Sequence, residues 1–227
     1  MLSSHSFALS APVAAVGRAF ALVISLSAAD VWALPPAPAP LTAATEQSPA
    51  TQGEVGRMLI NPYGEVDGLR LVDGTIVKFP PHMAAELTAA VKPGQMVRVF
   101  GRREGGGGVE ADSIVNVATA QTVFNQPPLA GARRLPPHLR AQSLQTQKVA
   151  GRIDAVLTGP RGEVNGVILA DGSMVRFPPD SAPPSLQPGA PFAASGLGTR
   201  NAYGTSLEAV RIGSSLSALQ PVYDPVP

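Results

Sequence analysis

Residues 64–81 read GEVDGLRLVDGTIVKFPP, and residues 162–179 read GEVNGVILADGSMVRFPP, with the same residue at 11 of 18 positions. A chain that writes one stretch twice, 98 residues apart, folds as two copies of one unit. That repeat constrains the architecture before any single motif is weighed.

The repeated stretch is a hairpin. Asp73-Gly74 and Asp171-Gly172 are turn dipeptides between runs rich in β-formers. In the first copy Leu69, Leu71, Val77 and Phe79 alternate with Arg70 and Lys78, so the four apolar residues should share one buried face. A two-residue loop would pair Arg70 with Val77 and mix the faces. A three-residue loop, Val72-Asp73-Gly74 with Gly74 in the left-handed region, pairs Leu69 with Val77 and keeps the apolar face whole. On the same parity Phe79 and Phe177 are core residues rather than stacking platforms. Asp73 and Asp171 are accounted for by the turn, whose backbone an Asp side chain imitates.

Elements can be placed around the hairpin in order. Residues 55–60 form a strand, and Asn61-Pro62-Tyr63-Gly64 a turn. Pro80-Pro81 stops the third strand, and residues 82–91, HMAAELTAAV, have helical composition. After Pro93-Gly94, strands over 95–103 and 109–117 flank the glycine run from Gly105 to Gly108. The second copy repeats this order. Its offset is 98 at the hairpin, 95 at the Pro-Gly stop (94 to 189) and 98 again at the last strand (114 to 212). The deletion falls in DSAPPSLQ, residues 180–187, where Pro183-Pro184 excludes a regular helix. The second helix should be reduced to a loop.

The fold class is all-β with a short helix: two tandem five-stranded barrels, over residues 53–117 and 148–213, joined by a Pro-containing linker. Three strands, a short helix and two strands, carrying the G-E-V-x-G…D-G-[TS]-x-V-[KR]-F-P-P signature, resemble the oligonucleotide/oligosaccharide-binding (OB) fold over roughly 130 residues. A five-stranded SH3-like barrel is the other architecture open at this point. The OB resemblance implies that the loop at 105–108 lies where such barrels often touch ligand.

Outside the barrels, residues 19–29, AFALVISLSAA, are an uncharged run behind Arg18, too short to span a bilayer and suited to an export signal ending near Ala33. Residues 1–33 are therefore read as a signal peptide, with no stable transmembrane anchor. Residues 34–52 are a Pro/Ala-rich linker, 118–147 a basic linker and 214–227 a tail. The net charge of +1 sets up no global field toward polyanions, and the absence of cysteine excludes disulfides and thiolate chemistry.

The sequence holds no catalytic or metal-spaced constellation. His5, His82 and His138 are isolated, and the glycine run lacks the Lys-Ser/Thr and helix start of a phosphate loop. No cofactor or metal is expected. The outward residues of the first barrel include Arg70, Lys78, Arg98, Phe100 and Arg102, a small version of a groove for single strands. Solvent-facing strands also carry such cations simply to keep edges from pairing. Only Arg176 keeps a cation in the second copy, and the first barrel has seven Lys/Arg against eight Asp/Glu. The basic excess lies in the linker, at Arg133, Arg134 and Arg140.

Two functions follow. The first is a non-enzymatic binding or scaffold protein of the cell envelope, periplasmic or secreted, for an unknown protein or oligomeric ligand. The second is a cytoplasmic protein binding single-stranded nucleic acid through the first barrel and the basic linker.

Overall fold

The computed structural model describes residues 48–128, 137–184 and 186–223. The export run, Arg133 and Arg134 lie outside the described residues. The first unit contains β1 (Thr51–Ile60), β2 (Val66–Leu71), β3 (Ile76–Lys78), a 3-10 turn at Pro81–Met83, α1 (Ala84–Ala90), β4 (Met96–Arg103), β5 (Val109–Asn116) and β6 (Thr122–Phe124). Strands β1, β2 and β3 pair in succession, β1 also pairs with β4, and β4 with β5. The parallel pairing of β3 with β5, Val77 opposite Val109, closes the barrel.

The hairpin has the predicted register. Leu69 lies opposite Val77, Gly74 has φ +92°, and the Thr75 amide donates to Asp73 Oδ1 at 2.8 Å. Leu69, Leu71, Val77 and Phe79 are all buried. The helical stretch has the expected ten residues, set one position earlier, because a 3-10 turn begun by Pro81 leads directly into α1 and Val91 is already extended. Leu87 and Val91 close one end of the core.

After α2 (Pro137–Ala141), the second unit repeats the plan with β7 (Gln145–Thr158), β8 (Val164–Leu169), β9 (Met174–Arg176), a 3-10 turn at Pro179–Ser181, β10 (Pro191–Asn201), β11 (Gly204–Gly213) and β12 (Gln220–Pro221). The parallel β9–β11 pairing closes this barrel. The α1 equivalent is gone, as the two prolines required. Phe177 and Phe192, 6.2 Å apart between ring centroids, belong to the second core. The residues lost before β10 are regained in the longer β10–β11 hairpin, which pairs as far as Asn201 opposite Gly204.

The protein is thus mostly β, with two closed five-stranded barrels in tandem, an arrangement compatible with OB-like barrels. Two features were not expected. Each barrel carries a sixth strand against its fifth, β6 on β5 and β12 on β11. The segment read as linker therefore contributes β6, α2 and the start of β7. The second feature is that the barrels are docked on each other.

Candidate functional site

The outward stripe of the first barrel divides into two halves with different fates. The β2–β3 half faces the second barrel. Arg70 pairs with Asp154. Lys78 pairs with Glu104 and donates to the Thr158 carbonyl at 2.6 Å. Both cations were candidate ligand contacts, and both are committed inside the molecule.

The docking is reciprocal. The β1–β2 turn of the first barrel meets the β10–β11 hairpin, where Asn201 Nδ2 donates to the Gly64 carbonyl at 2.9 Å. The equivalent β7–β8 turn of the second barrel meets the β4–β5 hairpin, where the Gly105 amide donates to the Pro160 carbonyl at 3.3 Å. Between these corners Leu157, Ile168 and Met174 of the second barrel join the buried cluster of the first. Fully burying such side chains is worth roughly 1.5–3 kcal/mol each, whereas exposed ion pairs contribute about 0–1 kcal/mol. The apolar seam holds the junction, and the polar contacts set its register.

Arg176 sits at the centre of that junction. It pairs with Asp67 of the first barrel at 3.0 Å and lies opposite Glu208 on the neighbouring strand. Burial raises the Asp67 carboxyl above its ordinary value, with Arg176 opposing. Its Oδ1 is buried without a hydrogen-bond partner among the described residues. Burial also raises Glu208, opposed by Arg176 and a hydrogen bond from Tyr223. A cavity of about 190 Å³ lies here, lined by Asp67, Lys78, Arg176 and apolar residues of both barrels.

The β4 half of the stripe stays open. Arg98 and Phe100 line a groove of about 870 Å³ with Gln52, Asp112, Ser113, Thr122 and Phe124. Its geometry comes from strand register. Phe100 on β4 lies opposite Ser113 on β5, and Ser113 lies opposite Phe124 on β6, so the two rings flank one small residue in a single row. Gln52, Arg98, Val115 and Thr122 form the next row. A bulge between Phe100 and Gly101 leaves Asp112 exposed beside Ser113. Arg98 Nε donates to Gln52 Oε1 at 3.2 Å. Arg102 pairs with its cross-strand neighbour Glu110, both well exposed.

A second groove, of about 580 Å³, lies on the other side of Phe124, between β6 and the α1 region, with Met83, Ala89 and Val123 among its lining. His82 holds its end, Nε2 lying 2.6 Å from the Gln126 carbonyl. From the basic linker, Arg140 stacks 4.0 Å over the Tyr63 ring and pairs with Glu65 at 2.7 Å.

Phe124 is the residue that sequence reasoning missed. A signal existed: TVFNQPP at 122–128 is echoed by PVYDPVP at 221–227. In both copies a Val packs on the barrel, and the aromatic after it is exposed, Phe124 at 57% and Tyr223 at 50%. Compared with known proteins, the chain matches no family model, no curated protein and no solved structure.

Proposed function

We propose that this is a non-enzymatic binding or scaffold protein of a bacterial-type cell envelope, built as one body from two OB-like barrels. One observation carries the reading. The strand 2–3 faces and the adjoining hairpin loops, with which OB barrels commonly hold oligomers, are taken up here by the other barrel. A chain that spends both ligand faces on an internal junction is built as a rigid support whose binding surface lies elsewhere. The export assignment draws on the run at residues 19–29 alone. It is tested by sequencing the N-terminus of the natively expressed protein. A mature start at Leu34 supports the reading, and an intact Met1 in a soluble cytoplasmic fraction sinks it.

The second reading, an intracellular protein for single-stranded nucleic acid, draws support from Arg98, Phe100 and Phe124 sharing one groove. Against it, Arg70 and Lys78 are paired within the junction, and Asp112 and Glu110 lie along the same face as Arg98. A binding constant that falls steeply with salt and depends on Arg98 would favour it.

A further inference from the structure

We propose that the open groove of the first barrel binds a neutral oligosaccharide, with a sugar ring stacked on Phe100 and Phe124. The proposal rests on the binding-protein reading and names its ligand class. It uses the outer face of β4, β5 and β6, not the strand 2–3 face that the barrels bury against each other.

The geometry comes first. Strands stack roughly 4.8 Å apart, so the two Phe residues, two strands apart, have backbones about 10 Å from each other. Ser113 between them is a low floor. Ser113 is 9% exposed although it belongs to the outer face, so a ligand meets the aromatic side chains rather than the serine. Phe100 and Phe124 thus offer apolar surface on either side of it within one groove. The face of a pyranose that carries axial hydrogens packs on an aromatic ring, while its equatorial hydroxyls point outward to polar partners.

Those partners are present. The Gln52 amide and the Arg98 guanidinium lie in the adjoining row, already bonded to each other and so oriented. The Asp112 carboxylate, brought to this face by the bulge, stands beside Ser113. Planar amide, guanidinium and carboxylate groups suit neighbouring hydroxyls, each of which donates and accepts. The volume, about 870 Å³, is that of a site for a short oligomer.

Charge selects among ligands. Arg98 and Asp112 cancel, so a polyanion gains one contact and meets one repulsion. An apolar peptide would desolvate Arg98, Asp112 and Gln52 without satisfying them. A neutral polyhydroxylated ligand satisfies all three. The second barrel lacks the aromatic pair, because the row of Ser195 and Arg211 ends at Pro221, Arg211 is turned to the Leu219 carbonyl at 2.9 Å, and Tyr223, the echo of Phe124, hydrogen-bonds Glu208 instead. One site per chain is expected.

The test is titration of the full chain with chitotetraose, cellotetraose and maltotetraose, and with a short oligothymidylate as polyanion, by calorimetry. At least one tetrasaccharide should bind once per chain. Phe124→Ala, an exposed position where folding is not at stake, should weaken it at least about fivefold. Arg70→Gln, in the junction, should leave it unchanged. Raising salt from about 0.05 to 0.2 M should shift the constant less than about twofold, against the orders of magnitude expected for phosphate binding. The proposal is overturned by no tetrasaccharide binding up to about 10 mM, by binding indifferent to Phe124→Ala, or by oligothymidylate binding in the groove with a steep salt slope. A processed protein that binds no sugar sinks this inference alone. An unprocessed cytoplasmic protein that does bind sugar sinks the envelope reading alone.

Discussion

The Lys78 ammonium donates to the main-chain carbonyl of Thr158, 2.6 Å away across the junction between the barrels. The same ammonium pairs with Glu104, whose side chain is 2% exposed. A cation that a sequence offers as a ligand contact is here a strut that ties the β4–β5 hairpin, β3 and the second barrel together.

Removing that strut leaves the Glu104 carboxylate buried without its cation. Lys78→Ala should therefore destabilise the protein by about 3 kcal/mol, in the range for breaking one side of a buried pair. Adding Glu104→Gln should recover a good part of the loss. Urea denaturation of the three variants and the parent checks this. An additive double variant, worse than either single change, is the outcome that removes the strut.

The two corners of the junction are close-packed. A Cβ placed on Gly106 would lie 2.0 Å from Thr158 Oγ1 and 2.6 Å from Thr158 Cβ. Gly106→Ala should cost about 1–3 kcal/mol through overpacking, although Gly106 sits in an exposed glycine-rich loop where a substitution would otherwise be silent. Thr158→Ala should relieve it, giving a coupling of at least about 1 kcal/mol in a double-mutant cycle. A silent Gly106→Ala would mean that the hairpin does not rest on the second barrel.

The half-buried carboxylates Asp67 and Glu208 give the junction a pH dependence. Burial raises Asp67 above its ordinary 3.8 and Glu208 above its ordinary 4.5, so the folded state favours their protonated forms. Their contribution to stability is complete below those ordinary values and is lost as pH rises through the elevated folded values. Asn165 occupies the position in the second copy that Asp67 holds in the first. Asp67→Asn should remove one titration, so the variant should gain stability relative to the parent as pH rises from about 4 to 7. Melting temperatures across that range decide it, and a gap that is constant or runs the other way contradicts the assignment.

The apolar seam makes the two barrels unfold together. Ile168, wholly buried among first-barrel residues, points away from its own core by alternation with Val167 and Leu169. Ile168→Asp places a carboxylate among the apolar side chains of the seam, and should split one cooperative thermal transition into two. Ile168→Ala should keep a single transition lowered by about 2–5 kcal/mol. Two transitions in the unmodified protein would show that the barrels are energetically separate.

Much of each barrel was legible in residue order, because hairpins and core faces are local. Leu69 opposite Val77 followed from parity and one glycine, and the lost second helix from Pro183-Pro184. The sixth strands were not legible. β6 has three residues and β12 two, too short for a period-2 pattern, and what holds them is the free edge of a fifth strand. Of the site, Arg98 and Phe100 were legible as an outward pair, but Phe124 was not, since it lies 24 positions beyond Phe100.

The repeat settles the architecture because each copy's turn chemistry, alternation and proline stops act within about thirty residues of one another. The fate of its outward side chains was settled by docking. Arg70 and Arg98 stand in the same alternating stripe and carry the same charge, yet one is covered by Asp154 and the other lines an open groove. Which neighbour covers a strand's outer face depends on contacts between residues about a hundred positions apart, such as Ile60 with Met174. No local pattern encodes that, because the free energy that decides it comes from matching two whole surfaces.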